Sequence, residues 1–153
     1  MDPSSLGRCG DRIAADIGRG GPLEVSATLP AQVPAGGGDR FQGTVTVTNR
    51  GGARFSGLSA AEADVYVTLS GRIVATPGDK EDSGVAVELA PGANQVIPAT
   101  VRLRQCTGEA TEAGPGKRFE PGAYEVYAAL SLTEGPEGRP LVVAGGPWPL
   151  RVT

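Results

Sequence analysis

The stretch "FEPGAYEVYAAL", Phe119–Leu130, decides the fold. Pro121-Gly122 reads as a sharp turn. Beyond it Tyr124, Val126, Ala128, Leu130 and Leu132 recur at every second position, the period of a strand with one buried face. The turn therefore launches a central strand. In a β-sandwich a tyrosine just inside such a strand bends its hydroxyl back onto the preceding connection, forming a tyrosine corner, and Tyr124 is the candidate for that role.

The same period recurs on both sides of this strand. "LEVSATL" sets Leu23, Val25, Ala27 and Leu29 against Glu24, Ser26 and Thr28. "RFQGTVTVTNRGG" sets Phe41, Val45 and Val47 against three threonines and ends at Asn49 to Gly52. "ADVYVTLSGRIVATP" reads as a hairpin or sharp corner about Ser70-Gly71. "VAVEL" ends in the turn pair Pro91-Gly92, and "NQVIPATVRLRQC" carries Pro98, which removes a ladder donor and demands an edge or a bulge. "LVVAGGPWPLRVT" closes the chain, with a bulge expected at Gly145-Gly146. Seven or eight strands parted by turn signals, with no long amphipathic helix, predict an all-β, immunoglobulin-like antiparallel β-sandwich over residues 23–153.

Residues 1–22 read as an irregular lead, because glycines interrupt them too often for a stable element. Within it Ile13 and Ile17 stand four apart after Asp11, which predicts one capped helical turn laid on the domain and tethered by Cys9. Cys9 and Cys106 are the two cysteines. A disulfide between them is one reading, two free thiols another, and a reactive site a third that lacks a histidine base. A bond closing so long a loop contributes roughly 4 to 5 kcal/mol in the chain-entropy model, less any strain.

Composition narrows the function classes. The 153 residues are 39% hydrophobic, enough for one domain with a real core. Aromatics make up 5%, and there are 24 glycines and 13 prolines, so the core is built from Val, Leu, Ala and Ile between many turns. A net charge of −3 without a basic cluster argues against nucleic acid. No apolar run reaches membrane-span length, so no membrane insertion is expected. An exported chain would have lost its signal before Asp2. "LGRC" has the outline of a lipoprotein cleavage site but carries Arg8 where a small residue belongs.

Catalytic templates find little here. With no histidine, the common triads, imidazole relays and His-containing zinc sites are excluded, and two cysteines cannot build an all-cysteine zinc site. No catalytic residue, cofactor or metal is expected. "GDKED" offers Asp79, Glu81 and Asp82 as oxygen ligands without EF-hand spacing and reads as a solvated loop. "GPGK" departs from the phosphate loop at both ends. What remains are contact surfaces for an unidentified protein partner. Tyr66 and Tyr127 lie opposite the Val and Leu rows: as an exposed aromatic pair they would mark a binding surface, and as cross-strand cover they would belong to an ordinary sheet. Trp148, between two prolines, is either a stacking platform or core or rim packing, and the loop Thr107–Arg118 carries Glu109, Glu112, Lys117 and Arg118.

The succession "TVTNRGG", "VYVTLSGRIVAT", "VELAPGANQ" and "FEPGAYEVYAAL" over about residues 41–132 resembles the BsuPI-type intracellular proteinase inhibitor family and its bacterial immunoglobulin-like relatives. "LAPG", Leu89 to Gly92, and "EPGAYEVYA", Glu120 to Ala128, carry the resemblance through paired Pro-Gly turns. It implies a non-enzymatic sandwich, one branch of which binds proteases, although no inhibitory loop matches residue by residue. The sequence thus leads to a non-catalytic, secreted or envelope-associated binding or structural module. The alternatives are a protease inhibitor acting through an exposed loop and, in keeping with that family, a cytoplasmic location.

Overall fold

The computed structural model describes residues 6–14, 16, 18, 21–36, 38, 40–77, 84–106 and 117–153. Its strands are β1 (Leu23–Thr28), β2 (Gln32–Val33), β3 (Arg40–Asn49), β4 (Phe55–Ala60), β5 (Asp64–Leu69), β6 (Arg72–Ala75), β7 (Gly84–Leu89), β8 (Asn94–Arg102), β9 (Gly122–Glu134) and β10 (Arg139–Val152). There is no helix among the described residues. A three-stranded antiparallel sheet has the order β1-β3-β8, and a seven-stranded sheet has the order β2-β10-β9-β4-β7, with β5 paired to β9 and β6 to β5.

β9 organises the larger sheet. β10 runs antiparallel along its whole length, from Gly122↔Val152 to Glu134↔Arg139. Its other side is shared: β5 pairs with Glu125 to Ala129, and β4 takes Leu132 to Glu134. A strand with neighbours on both sides has no free edge, and what packs on each face decides its burial: Val126, Ala128 and Leu130 join the core between the sheets, and Tyr127 and Ala129 a second cluster on the opposite face. Accordingly Tyr124 and every residue from Val126 to Leu130 are buried.

One core joins the sheets. Val25, Val45, Val47, Ile97 and Val101 of the smaller sheet cluster with Val65, Val67, Val126, Ala128 and Leu130 of the larger. The Val, Ile and Leu side chains among them contribute roughly 1.5 to 3 kcal/mol each on full burial. The alternation read from β1, β3, β7 and β8 matches the observed burial along each strand.

Local chemistry fixes the connections. Ser70 and Gly71 both have positive φ, 53° and 81°, which is the two-residue turn whose twist suits the β5–β6 hairpin. Pro98 lies on β8, at the edge of its sheet, where the missing N–H costs no ladder bond and its carbonyl accepts from Ala63 N–H at 3.0 Å. Asn49, buried at the end of β3, donates from Nδ2 to the carbonyls of Ala53 (2.8 Å) and Leu89 (2.9 Å) and accepts from Gly51 N–H (2.9 Å). The register of β10 against β9 shifts between Gly145 and Trp148, at the expected bulge.

Three expectations change. β2 and β4 are additional strands. β4 hides in "FSGLSA" because its inward positions alternate Phe55, Gly57 and Ser59 rather than three apolar residues. The described residues after Asp11 also form no helical turn. Arg12 instead bridges Arg72 antiparallel, with Gly10 N–H donating to Ile73 O (2.8 Å), Ile73 N–H to Asp11 O (2.9 Å) and Ile13 N–H to Gly71 O (3.0 Å). The open edge of β6 satisfies the backbone of this segment better than a single isolated turn would. Ile17 lies outside the described residues.

Candidate functional site

Cys9 and Cys106 are joined in a disulfide with Cα atoms 5.9 Å apart, across a sequence separation of 97. Cys106 is held against β6 by its N–H to Val74 O at 2.7 Å. The bond therefore pins the lead segment to the same strand edge that Gly10 to Ile13 already lines.

That docking rules out an exposed Tyr66 and Tyr127 pair and leaves the cross-strand cover reading. Tyr66 has 0% relative exposure and Tyr127 6%. With Leu6, Ile73, Ala129 and Ala144 they form a second apolar cluster, separate from the core between the sheets, against which Ile13 and Val142 pack. Leu6 is 1% exposed and its N–H lies 3.4 Å from the Tyr66 hydroxyl. The outer face of the larger sheet is covered by the lead, so these tyrosines are covered cross-strand neighbours, paired directly across β5 and β9. A signal was present in the sequence: β5 and β9 carry apolar residues on both faces, and the lead supplies Leu6 and Ile13 to match.

Tyr124 forms the expected corner. Its hydroxyl donates to the carbonyl of Glu120 at 2.7 Å, and its ring stacks on Phe119 at 4.8 Å with a 15° interplanar angle. Burial, then the charge of Glu120, raise its pKa above 10.0, partly offset by the hydrogen bond to the Glu120 backbone. Tyr124 is thus a structural anchor. It also steadies the base of the loop that follows β8. There Gln105 N–H donates to Lys117 O (2.7 Å), Phe119 N–H to Leu103 O (3.1 Å), and Arg104 bridges Arg118 antiparallel. Lys117 and Arg118 are exposed on this stem, and an Arg118 Nη1 reaches Gly38 O at 3.5 Å. Glu109 and Glu112 lie outside the described residues, as do Asp79, Glu81 and Asp82.

Trp148 lines an open cleft of about 500 Å³ between β1 and the bulge of β10, together with Gly21, Glu24, Val25, Arg50 and Gly145. The indole is half-buried against the core. Its six-membered ring folds over Gly145, where a Cβ would stand 3.1 Å from Cη2 and collide with the Val25 carbonyl. Only glycine lets the two sheets approach so closely here. At the rim the Arg50 guanidinium and Glu24 carboxylate pair at 3.0 Å, both more than half exposed. Such a pair adds little stability, but it offers fixed donors and acceptors beside an aromatic wall. The sequence singled out Trp148 and gave no sign of Glu24 and Arg50, which meet only because β1 and the end of β3 are adjacent.

The arrangement suits stacking and hydrogen bonding. Among the described residues no three His, Cys, Asp or Glu side chains gather as metal ligands, and no helix is long and apolar enough to cross a membrane.

No family model matches the chain, and no curated protein matches it. Solved structures with a similar backbone are varied. A putative ApaA protein from Bordetella pertussis is 19% identical, with 85% of this chain covering 93% of that one at a TM-score of 0.48. The CARDB domain of the PF1109 protein from Pyrococcus furiosus, solved in complex with di-metal ions, is 15% identical, with coverages of 86% and 85% and a TM-score of 0.38. A β-glucosidase from Erythrobacter marinus is 18% identical at a TM-score of 0.39, and 87% of this chain spans 15% of its length. At this level of likeness no family and no activity is assigned.

Proposed function

We propose that this chain is a non-catalytic, immunoglobulin-like β-sandwich module of an oxidising compartment, secreted or attached to the cell envelope, that binds a protein partner. The Cys9–Cys106 bond carries the reading, because crosslinks of this kind persist outside the reducing cytosol. The contact surface is the cleft beside Trp148, where a half-buried indole stands next to the Arg50–Glu24 pair. The outer tyrosine face is taken up by the chain's own lead and is unavailable while the disulfide holds. Fractionating the source organism tests the compartment: recovery in the envelope or medium supports it, and recovery confined to the cytosol contradicts it.

A second reading, a BsuPI-like protease inhibitor, is favoured by one feature. The stem formed by 103–105 and 117–119 is paired backbone to backbone and clamped at Cys106, so both ends of the connection between them are held. Fixing both ends of a connection lowers the ordering cost of entering a protease cleft. A panel of subtilisin-like and trypsin-like proteases decides it, and the absence of inhibition across the panel would remove the inhibitor reading.

A further inference from the structure

We propose that residues 6–14 are a redox-latched cover, released as a unit from the outer face of the larger sheet when the Cys9–Cys106 bond is reduced, while the core between the sheets stays folded. Three observations lead there. The cover's side chains pack in their own cluster with Tyr66, Ile73 and Tyr127, distinct from the core that joins the sheets. Its backbone attachment is a short ladder to the open edge of β6 at Gly10, Asp11 and Ile13, reinforced by Arg72 Nη1 to Gly10 O at 3.2 Å. Its single covalent tie to the body of the domain, apart from the chain itself, is the disulfide.

The balance of forces is asymmetric. Holding nine residues in one conformation costs backbone entropy at every position. Against that stand one fully buried side chain, Leu6, a half-buried Ile13 and a few hydrogen bonds at a strand edge. A crosslink removes most of the freedom the cover would gain by leaving, and without it the detached state becomes populated. The sheet beneath does not depend on the cover, since β5 and β9 also bury their inward faces against the smaller sheet. The chemistry is a thiol–disulfide exchange. A dithiol reductant supplies two electrons and two protons, the S–S bond breaks to give the Cys9 and Cys106 thiols, and the reductant closes to its own disulfide. Release would bare Tyr66, Tyr127, Ile73 and Ala129, an apolar aromatic face that exists only in the reduced chain.

The experiment compares amide spectra of the isotopically labelled full chain oxidised, reduced with dithiothreitol, and as Cys9→Ser/Cys106→Ser. The expected result is loss of native shifts and exchange protection at Gly10, Ile13 and Ile73, with displaced resonances at Tyr66 and Tyr127. Val45, Val101 and Leu130 should keep their native positions. Retention of the cover's native signals after reduction overturns the proposal, and so does collapse of the whole spectrum. Should the double variant fail to fold, Leu6→Asp with the disulfide intact decides between the outcomes. Disturbance limited to the Tyr66, Ile73, Tyr127 and Ala129 cluster supports a separable cover, whereas loss of the core resonances overturns it.

Discussion

The hydroxyl of Tyr124 donates to the carbonyl of Glu120, four residues earlier, at 2.7 Å, while its ring lies flat on Phe119. This contact ties the Pro121-Gly122 turn to the start of the central strand and closes the base of the preceding loop. Tyr124→Phe keeps the stacked ring and removes the hydrogen bond. The expected loss is about 0.5 to 1.5 kcal/mol, read as a lower denaturation midpoint in urea at an unchanged m-value.

The same residue sets a pH dependence. Burial raises the Tyr124 pKa above 10.0, so above pH 10 the unfolded chain gives up this proton before the folded one does. The folded state then binds more protons than the unfolded state, and stability falls as pH rises. Its contribution is fully present below pH 10 and is lost on rising through the folded pKa. Midpoints measured from pH 8 to 11 should fall more steeply in the wild type than in Tyr124→Phe.

Asn49 is a buried junction between β3, the following turn and Leu89 of β7, through two donated bonds and one accepted. Asn49→Ala leaves two carbonyls and one N–H without their partner, at a cost of roughly 1 to 3 kcal/mol. Asn49→Asp keeps the acceptor for Gly51 but loses both donors, so it should be at least as damaging. Thermal denaturation of the two variants checks this.

Gly57 sits where β4 crosses the end of β9, and a Cβ there would land on the Thr133 carbonyl. Gly57→Ala must push the strands apart and should cost about 1 to 3 kcal/mol. Gly52→Ala, in a turn with nothing within 4 Å of the new methyl, is the matched control and should stay within about 0.5 kcal/mol of wild type.

Trp148 is the single tryptophan, so its emission reports the cleft directly. A protein partner seated between β1 and β10 should shift that emission to the blue and reduce quenching by acrylamide. A partner gripping the Lys117–Arg118 stem would leave both unchanged.

Strands with a regular inward row were legible from alternation alone. Thr44, Thr46 and Thr48 opposite Val45 and Val47 reproduce the observed pattern of β3, and the Tyr124 to Leu132 row marked the central strand and its corner. The same logic left Tyr66 and Tyr127 open between an exposed surface and a covered one, because alternation reports which residues share a face and not what covers that face. The cover comes from a segment about 60 residues earlier than Tyr66, tied by a disulfide spanning 97. No local period encodes contacts of that range. β4 escaped for a different reason: close approach of backbones at Gly57 replaces the apolar side chain that a period would register.

The disulfide is the feature on which compartment and cover both depend. The decisive measurement is its state in the organism: trap thiols with an alkylating agent before denaturation, digest the protein and weigh the peptides. A linked Cys9 and Cys106 peptide pair free of label is the predicted result. Two alkylated cysteines would contradict it, place the chain in a reducing compartment and leave the tyrosine face uncovered.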